Sequence, residues 1–237
     1  MSFDLRFDIR KVLSASLITA AMAMPALAQD STPAPATTTE AAPQATSPVT
    51  EAPAPTLVED LFLGEADAPL TIYEYASFTC PHCAAFHKDT FPKLKAEYID
   101  TGKVRFAQRD VYFDQVGLWA GILARCDEKK YYPVAGMLMD EQSEWLGADN
   151  GEALVANLRK IGSKAGMTAE QMDTCWNDNS RVESLIATFQ KNSTEHKVEG
   201  TPSFVIGGEM VPNQSWDDMK AIIDTKLAEA EAAKPAN

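Results

Sequence analysis

The chain predicts an α/β fold, βαβ–ββα with an inserted helical subdomain. Three observations carry this. Two strand-like runs, 70–75 and 104–111, flank a helix-like run over 84–99. Helical texture then holds from about 115 to 198. A hairpin signal centred on Gly207-Gly208 and a closing helix over 216–230 complete the order.

Leu61-Phe62-Leu63, with Gly64, Asp67 and Pro69 after it, reads as a short edge segment and a turn. In the run 70–75, Leu70, Ile72 and Glu74 alternate with Thr71, Tyr73 and Tyr75. Both sets are partly apolar, as in a central strand. The helix-like run carries Phe86, Leu94 and Tyr98, and Pro92 inside it should kink it. Val104, Phe106 and Gln108 alternate with Arg105, Ala107 and Arg109 in the next strand. The first βαβ is expected to be a right-handed parallel crossover.

Five helices are expected in the insert. One is lined by Leu118, Ile122 and Leu123, and one by Val134, Met137 and Leu138. A third carries Leu154, Val155, Leu158 and Ile161. A short fourth, around Met172 to Trp176, follows a capping box of Thr168 and Gln171. The fifth carries Val182, Leu185, Ile186 and Phe189. Ser203-Phe204-Val205-Ile206, a Gly-Gly turn and Glu209-Met210-Val211 then form the hairpin, adding antiparallel strands to the same sheet.

Cys80-Pro81-His82-Cys83 lies where the first strand gives way to the helix. Cysteines at this spacing share one face of the first turn and can close a disulfide with little backbone movement. The Cys80 sulfur points at unsatisfied N–H groups and the positive end of the helix dipole. That field favours the thiolate, which is the nucleophile in disulfide exchange. Pro81 fits the first helical position, where its missing N–H costs nothing. His82 can add a donor or a positive charge beside the Cys80 sulfur. A bare CxxC also suits half a zinc site. Its place at a strand-to-helix junction, with Thr201-Pro202 opening a later strand, favours redox chemistry.

The N-terminus reads as a signal peptide over 1–28. Arg6, Arg10 and Lys11 precede an apolar run ending Ala26-Leu27-Ala28, with cleavage expected before Gln29. Asp4 and Asp8 dilute the positive start, and an uncut anchor is the alternative, though the run is short for a span. Residues 29–56 are an Ala/Pro/Thr-rich linker that buries too little to offset its ordering entropy. One domain is expected over 57–232, with its insert at about 115–198 and a tail at 233–237.

The formal charge is −13, and removal of 1–28, with three basic and two acidic residues, would leave −14. That excess argues against nucleic acid, which needs a basic footprint, and against an anionic membrane surface. Four cysteines fit an oxidising compartment. Cys80 and Cys83 pair by spacing. Cys126 and Cys175, beside apolar neighbours such as Leu123 and Trp176, are expected to form a structural disulfide within the insert. Two buried free thiols are the alternative.

Ser77-Phe78-Thr79-Cys80-Pro81-His82-Cys83 and Gly200-Thr201-Pro202-Ser203-Phe204 resemble the DsbA family of thioredoxin-fold oxidoreductases. The resemblance covers about 61–230, insert included. It implies a thioredoxin fold with an inserted helical subdomain. It also implies donation of the Cys80-Cys83 disulfide to reduced exported polypeptides in the periplasm, and reoxidation by a DsbB-like, quinone-linked membrane partner. No cofactor is implied. Cys80 would form the mixed disulfide, and Cys83 would be its shielded partner. Pro202 takes the family's cis-proline position, with Thr201 lining the same substrate face. Glu74 aligns with the family's buried acid, a proton relay to Cys83; a solvated strand end is the alternative. Gln108 stands where some members carry a buried lysine, which puts an acid–lysine relay in doubt.

The competing reading within the fold is a disulfide isomerase or reductase. Thr201 leans that way, but 29–56 cannot fold into a dimerisation domain, so a monomer and net oxidation are expected. From another class, the chain could be a redox-inert or metal-binding module. His87, one turn after Cys83, permits a metal site, but no further Cys–His cluster supports one. No metal is expected, and His87 reads as a surface or rim residue. His196 reads as a helix-surface residue.

Overall fold

The computed structural model describes residues 54–233. The leader expected over 1–28, the linker from 29 to 53 and the tail from 234 to 237 lie outside the described residues. The chain opens with β1 (Phe62–Leu63) and β2 (Leu70–Ala76). Next come α1 (Pro81–Asp89), α2 (Phe91–Leu94), a π-helical turn (Lys95–Ile99) and β3 (Val104–Asp110). The insert follows as α3 (Gln115–Ala124), a 3-10 turn (Glu128–Lys130), α4 (Tyr131–Asp140), α5 (Gln142–Leu146), α6 (Gly151–Lys164), α7 (Ala169–Trp176) and α8 (Asn179–Glu195). β4 (Ser203–Ile206), β5 (Glu209–Pro212) and α9 (Trp216–Ala232) close the fold.

The strands form one sheet in the order β1-β3-β2-β4-β5. β2 and β3 are parallel, while β1 on β3, β4 on β2 and β5 on β4 are antiparallel. Alternation along β2 divides the two faces. Leu70 and Ile72 join Phe86 of α1 and Met219, Ile223 and Leu227 of α9 in one core. Tyr73 and Tyr75 turn the other way, toward Phe189 of α8. A third core runs from Ala76, Phe78 and Cys83 into the insert through Leu123, Leu138 and Trp145. The insert therefore packs directly on the CxxC turn. Burying such apolar side chains stabilises by about 1.5–3 kcal/mol each, so the contact is not a loose appendage.

The hairpin turn is as expected, with Gly207 and Gly208 at φ 59° and 87°, a left-handed pair that suits glycine. The capping box of Thr168 and Gln171 is present. Two elements differ from expectation. The helix expected over 84–99 is not one kinked helix. It stops at Asp89 and restarts at Phe91, so Pro92 falls in the first turn of a new helix, where its missing N–H costs nothing. The restart then widens into the π turn, closed by the Asp100 N–H donating to the Lys95 carbonyl at 2.8 Å. The insert also holds α5, which the reading of five helices missed; five residues are too few to show a helical period.

Candidate active site

Cys80 is the N-cap residue of α1, in extended conformation with φ −85° and ψ 118°, and Pro81 follows in the first helical turn. The Cys80 carbonyl accepts from the Cys83 and Ala84 N–H groups at 3.1 and 3.2 Å, which starts the helix. Cys80 is partly exposed, whereas Cys83 is fully buried, and both carry free thiols. The shielding expected of Cys83 comes from the insert and from β2. Burial pushes the Cys83 thiol up, and the charge of Glu74 adds to this; the Thr201 hydroxyl and the Ser77 backbone offset only part.

The loop that opens β4 meets the dithiol. Thr201-Pro202 is a cis peptide bond. The Thr201 carbonyl accepts from the Cys80 thiol at 3.3 Å. His82 and Pro81 are exposed on the first turn of α1.

The floor of the site holds an ion pair. Glu74 points to the α1 side of β2 because it is in phase with Leu70 and Ile72, and it is fully buried. The expected alternative, a solvated strand end, is thereby overturned. Its Oε2 lies 3.0 Å from Nε2 of His87. His87 is 8% exposed, so it is not the surface or rim residue expected. The i, i+4 step from Cys83 sets it on the helix face that meets the sheet. Burial pulls the imidazole down, but the Glu74 charge and hydrogen bond, with Asp140 beyond, outweigh it and leave His87 above its ordinary value. Among the described residues no group of three or more His, Cys, Asp or Glu side chains could hold a metal ion.

Gln108 is Glu74's register neighbour on β3 and is fully buried. Its amide donates to Asp110 at 3.2 Å. Two further groups brace the loop, and sequence reasoning missed both. The Gln142 amide of α5 donates to the carbonyls of Phe78 and Cys80 at 2.8 and 3.0 Å. Asp114 caps α3 through the Gly117 N–H at 2.7 Å and accepts from the Thr79 hydroxyl at 3.0 Å. The N-cap position of Asp114 is a recoverable signal for the second; an isolated Gln offers none for the first. Cys126 and Cys175 are bonded to each other, with Cα atoms 5.6 Å apart. His196 meets the Tyr75 hydroxyl at 2.5 Å, at the end of α8.

The thioredoxin family model matches residues 56–225. The chain is similar to a Rickettsia bellii protein provisionally named a protein-disulfide oxidoreductase, at 34% identity over 72% of this chain and 66% of that one. The chain thus spans just under two thirds of that relative's length. It is 25% identical to disulfide bond formation protein D of Bacillus subtilis, over 70% of this chain and 76% of that one. The crystal structure of Wolbachia pipientis alpha-DsbA1 superposes with a TM-score of 0.67 at 26% identity, covering 74% of this chain and 94% of that one.

Proposed function

Because the chain belongs to the thioredoxin family, in its DsbA-like branch with a helical insert, we propose that it is a thiol:disulfide oxidoreductase that oxidises exported polypeptides. The observation that carries the reading is the asymmetry of the two cysteines. Cys80 is partly exposed at a helix N-terminus, and Cys83 is fully buried beside it. A substrate thiolate attacks Cys80 of the oxidised pair, its new S–S bond forms, and the Cys80–Cys83 bond breaks onto Cys83. A second substrate thiolate then attacks the substrate sulfur of the mixed disulfide and releases Cys80 as thiolate. The helix dipole favours that leaving charge. Pro202 and Thr201 would border an extended substrate strand, and exposed Pro81 and His82 would form the near wall.

Export rests on the leader-like 1–28. The expected reoxidant is a DsbB-like, quinone-linked membrane partner, and the active form is a monomer. Isomerase action is the second reading, and it rests on Thr201, the residue that precedes the cis Pro202.

The test uses Cys80→Ser and Cys83→Ser with a reduced model polypeptide. Cys80→Ser should abolish exchange, and Cys83→Ser, given instead a disulfide-containing polypeptide whose S–S bond its Cys80 thiolate can attack, should accumulate a mixed disulfide visible by mass spectrometry under non-reducing conditions. Exchange surviving in Cys80→Ser would overturn the reading. Paired assays on a reduced and on a scrambled substrate separate oxidase from isomerase. Fast rescue of the scrambled substrate with slow oxidation of the reduced one would move the protein to the isomerases.

A further inference from the structure

We propose that Tyr75 and His196 form a pH-sensitive clasp that sets the loop carrying Thr201 and Pro202 against the dithiol and so governs the grip on a polypeptide substrate. The inference rests on the exchange reading above and adds two positioning residues to it.

The loop 197–202 leaves the end of α8 and returns as β4. Both of its ends meet Tyr75. The Tyr75 hydroxyl reaches Nδ1 of His196 at 2.5 Å and the carbonyl of Asn192, in the last turn of α8, at 3.1 Å. The Tyr75 backbone is the register partner of Ser203, the first residue of β4. Between these ends the chain has little freedom. Lys197 turns it at φ 53°, a left-handed conformation uncommon outside glycine. The Val198 N–H then donates back to the Ser193 carbonyl at 2.9 Å. Val198 packs with Tyr75 and Val205, and the Ser203 hydroxyl donates to the Gly200 carbonyl. At the far side of the loop the Thr201 carbonyl accepts from the Cys80 thiol at 3.3 Å. The hold of Tyr75 on the end of α8 therefore sets where Thr201 meets Cys80.

Tyr75 is fully buried, so its hydroxyl proton has to be given within the protein. Arg109 donates to the phenol oxygen at 2.8 Å. Arg109 is itself fixed by Asp60, at 2.9 and 2.7 Å, and lies over the Tyr73 ring. The phenol thus has one proton to give and two acceptors in reach. With His196 neutral and its proton on Nε2, Nδ1 takes the phenol proton. Protonation of His196 reverses that bond. Nδ1 becomes a donor, the phenol turns its proton to Asn192, and one oxygen then faces two cations, since Nδ1 lies 3.4 Å from Nη1 of Arg109.

The charged and titratable groups around the ring are Arg109 from β3, Tyr73 and Tyr75 from β2, Lys191 and Glu195 from α8, and Asp60 before β1. Burial and then Arg109 hold the imidazole below its ordinary value, with Lys191 adding to this and Glu195 and Asp60 opposing it. The clasp is therefore whole at neutral pH and loosens as pH falls through the lowered imidazole value. Neither residue touches a reacting sulfur; both act through the loop.

The test mixes oxidised enzyme with a reduced, unfolded two-cysteine polypeptide or with dithiothreitol. Loss of the Cys80–Cys83 disulfide is followed by acid quench and mass spectrometry from about pH 7.5 to about pH 5. Dithiothreitol needs only the disulfide, whereas the polypeptide also needs the loop. Both attack as thiolates from thiols that are mostly protonated here, so that dependence cancels in the ratio of the two rates. In the wild type the ratio of polypeptide to dithiothreitol rates should fall about tenfold across the range, a usual size for coupled sites. His196→Asn keeps an acceptor at the Nδ1 place without a titrating ring, and its ratio should stay level at the neutral-pH value of the wild type. Tyr75→Phe removes the hydroxyl, and its ratio should be low throughout. By NMR of the wild type, the Gly200 and Thr201 amide signals should shift with the same midpoint as the His196 ring. A wild-type ratio that stays level, or one that falls equally in His196→Asn, would overturn the clasp. So would a Tyr75→Phe variant in which both rates drop together, or amides that ignore the His196 titration. If dithiothreitol reduces the enzyme but the polypeptide is oxidised at no pH, the exchange reading itself fails, and the amide titration alone decides the clasp.

Discussion

Cys80 and Cys83 share one helical turn, and what separates them chemically is supplied by side chains distant in sequence. Gln142 is one of these. Its amide holds the Phe78 and Cys80 carbonyls at the mouth of α1. Losing the amide removes the donor from the carbonyl of Phe78, a buried residue, while the Cys80 carbonyl keeps the Cys83 and Ala84 N–H groups. Gln142→Ala should cost about 1–3 kcal/mol, read as a lower urea midpoint with an unchanged slope. A midpoint within error of the wild type would show that water replaces the amide. The cysteines themselves were legible because their chemistry depends on local spacing and a helix start. The Glu74–His87 pair was half legible. Alternation with Ile72 places Glu74 over α1, and the i, i+4 step from Cys83 places His87 on the face of α1 toward the sheet. Reading the two periodicities separately left His87 on the surface; only their intersection brings the side chains to 3.0 Å.

Elements that own a strong local signal stood out in the sequence, and those held by tertiary contacts did not. The hairpin has its glycine pair, and α7 has its capping box. α5 has neither; it forms because Trp145 is buried in the insert core and Gln142 reaches the CxxC loop. The break at Thr90 also lacked a clear signature, because Pro92 fits a first turn as well as a kink. The insert's own constraint is the Cys126–Cys175 bond, which joins the end of α3 to α7 across a separation of 49 residues. In the chain-entropy account a loop of that length stabilises the native state by about 4 kcal/mol. Cys126→Ser/Cys175→Ser should therefore lower unfolding free energy by about that amount in denaturant titrations. Thiol exchange by the native double variant should persist, since the free thiols of Cys80 and Cys83 are retained. Loss of exchange in a variant that remains folded would tie the insert disulfide to the chemistry.

At the scale of the whole molecule, the question is what fixes the insert against the sheet closely enough for Gln142 and Asp114 to meet a loop they do not adjoin in sequence. The apolar contact supplies adhesion but little orientation. Orientation comes from a buried charge pair. Arg125, at the C-terminal end of α3, donates to Asp110, the last residue of β3, at 2.7 Å. Tyr131 of α4 donates to the other Asp110 oxygen at 2.5 Å, and the Gln108 amide joins it at 3.2 Å. Arg125 also reaches the Glu59 carbonyl at 3.4 Å, so the segment before β1 is tied to the same point. Burial opposes the guanidinium charge, but Asp110, with Tyr131 and Tyr112 around it, keeps the group more firmly protonated than usual. Such a pair is worth little against an apolar replacement of both partners, and much against loss of one. Arg125→Met should therefore cost about 3–5 kcal/mol, because it strands a buried carboxylate. Adding Asp110→Asn should recover most of that loss. If the pair serves orientation, the stable double variant should still be slower in exchange than the wild type, because α3 and α5 no longer hold Thr79 and Cys80 in register. A double variant equal to the wild type in both midpoint and exchange rate would assign the orientation to the apolar core alone.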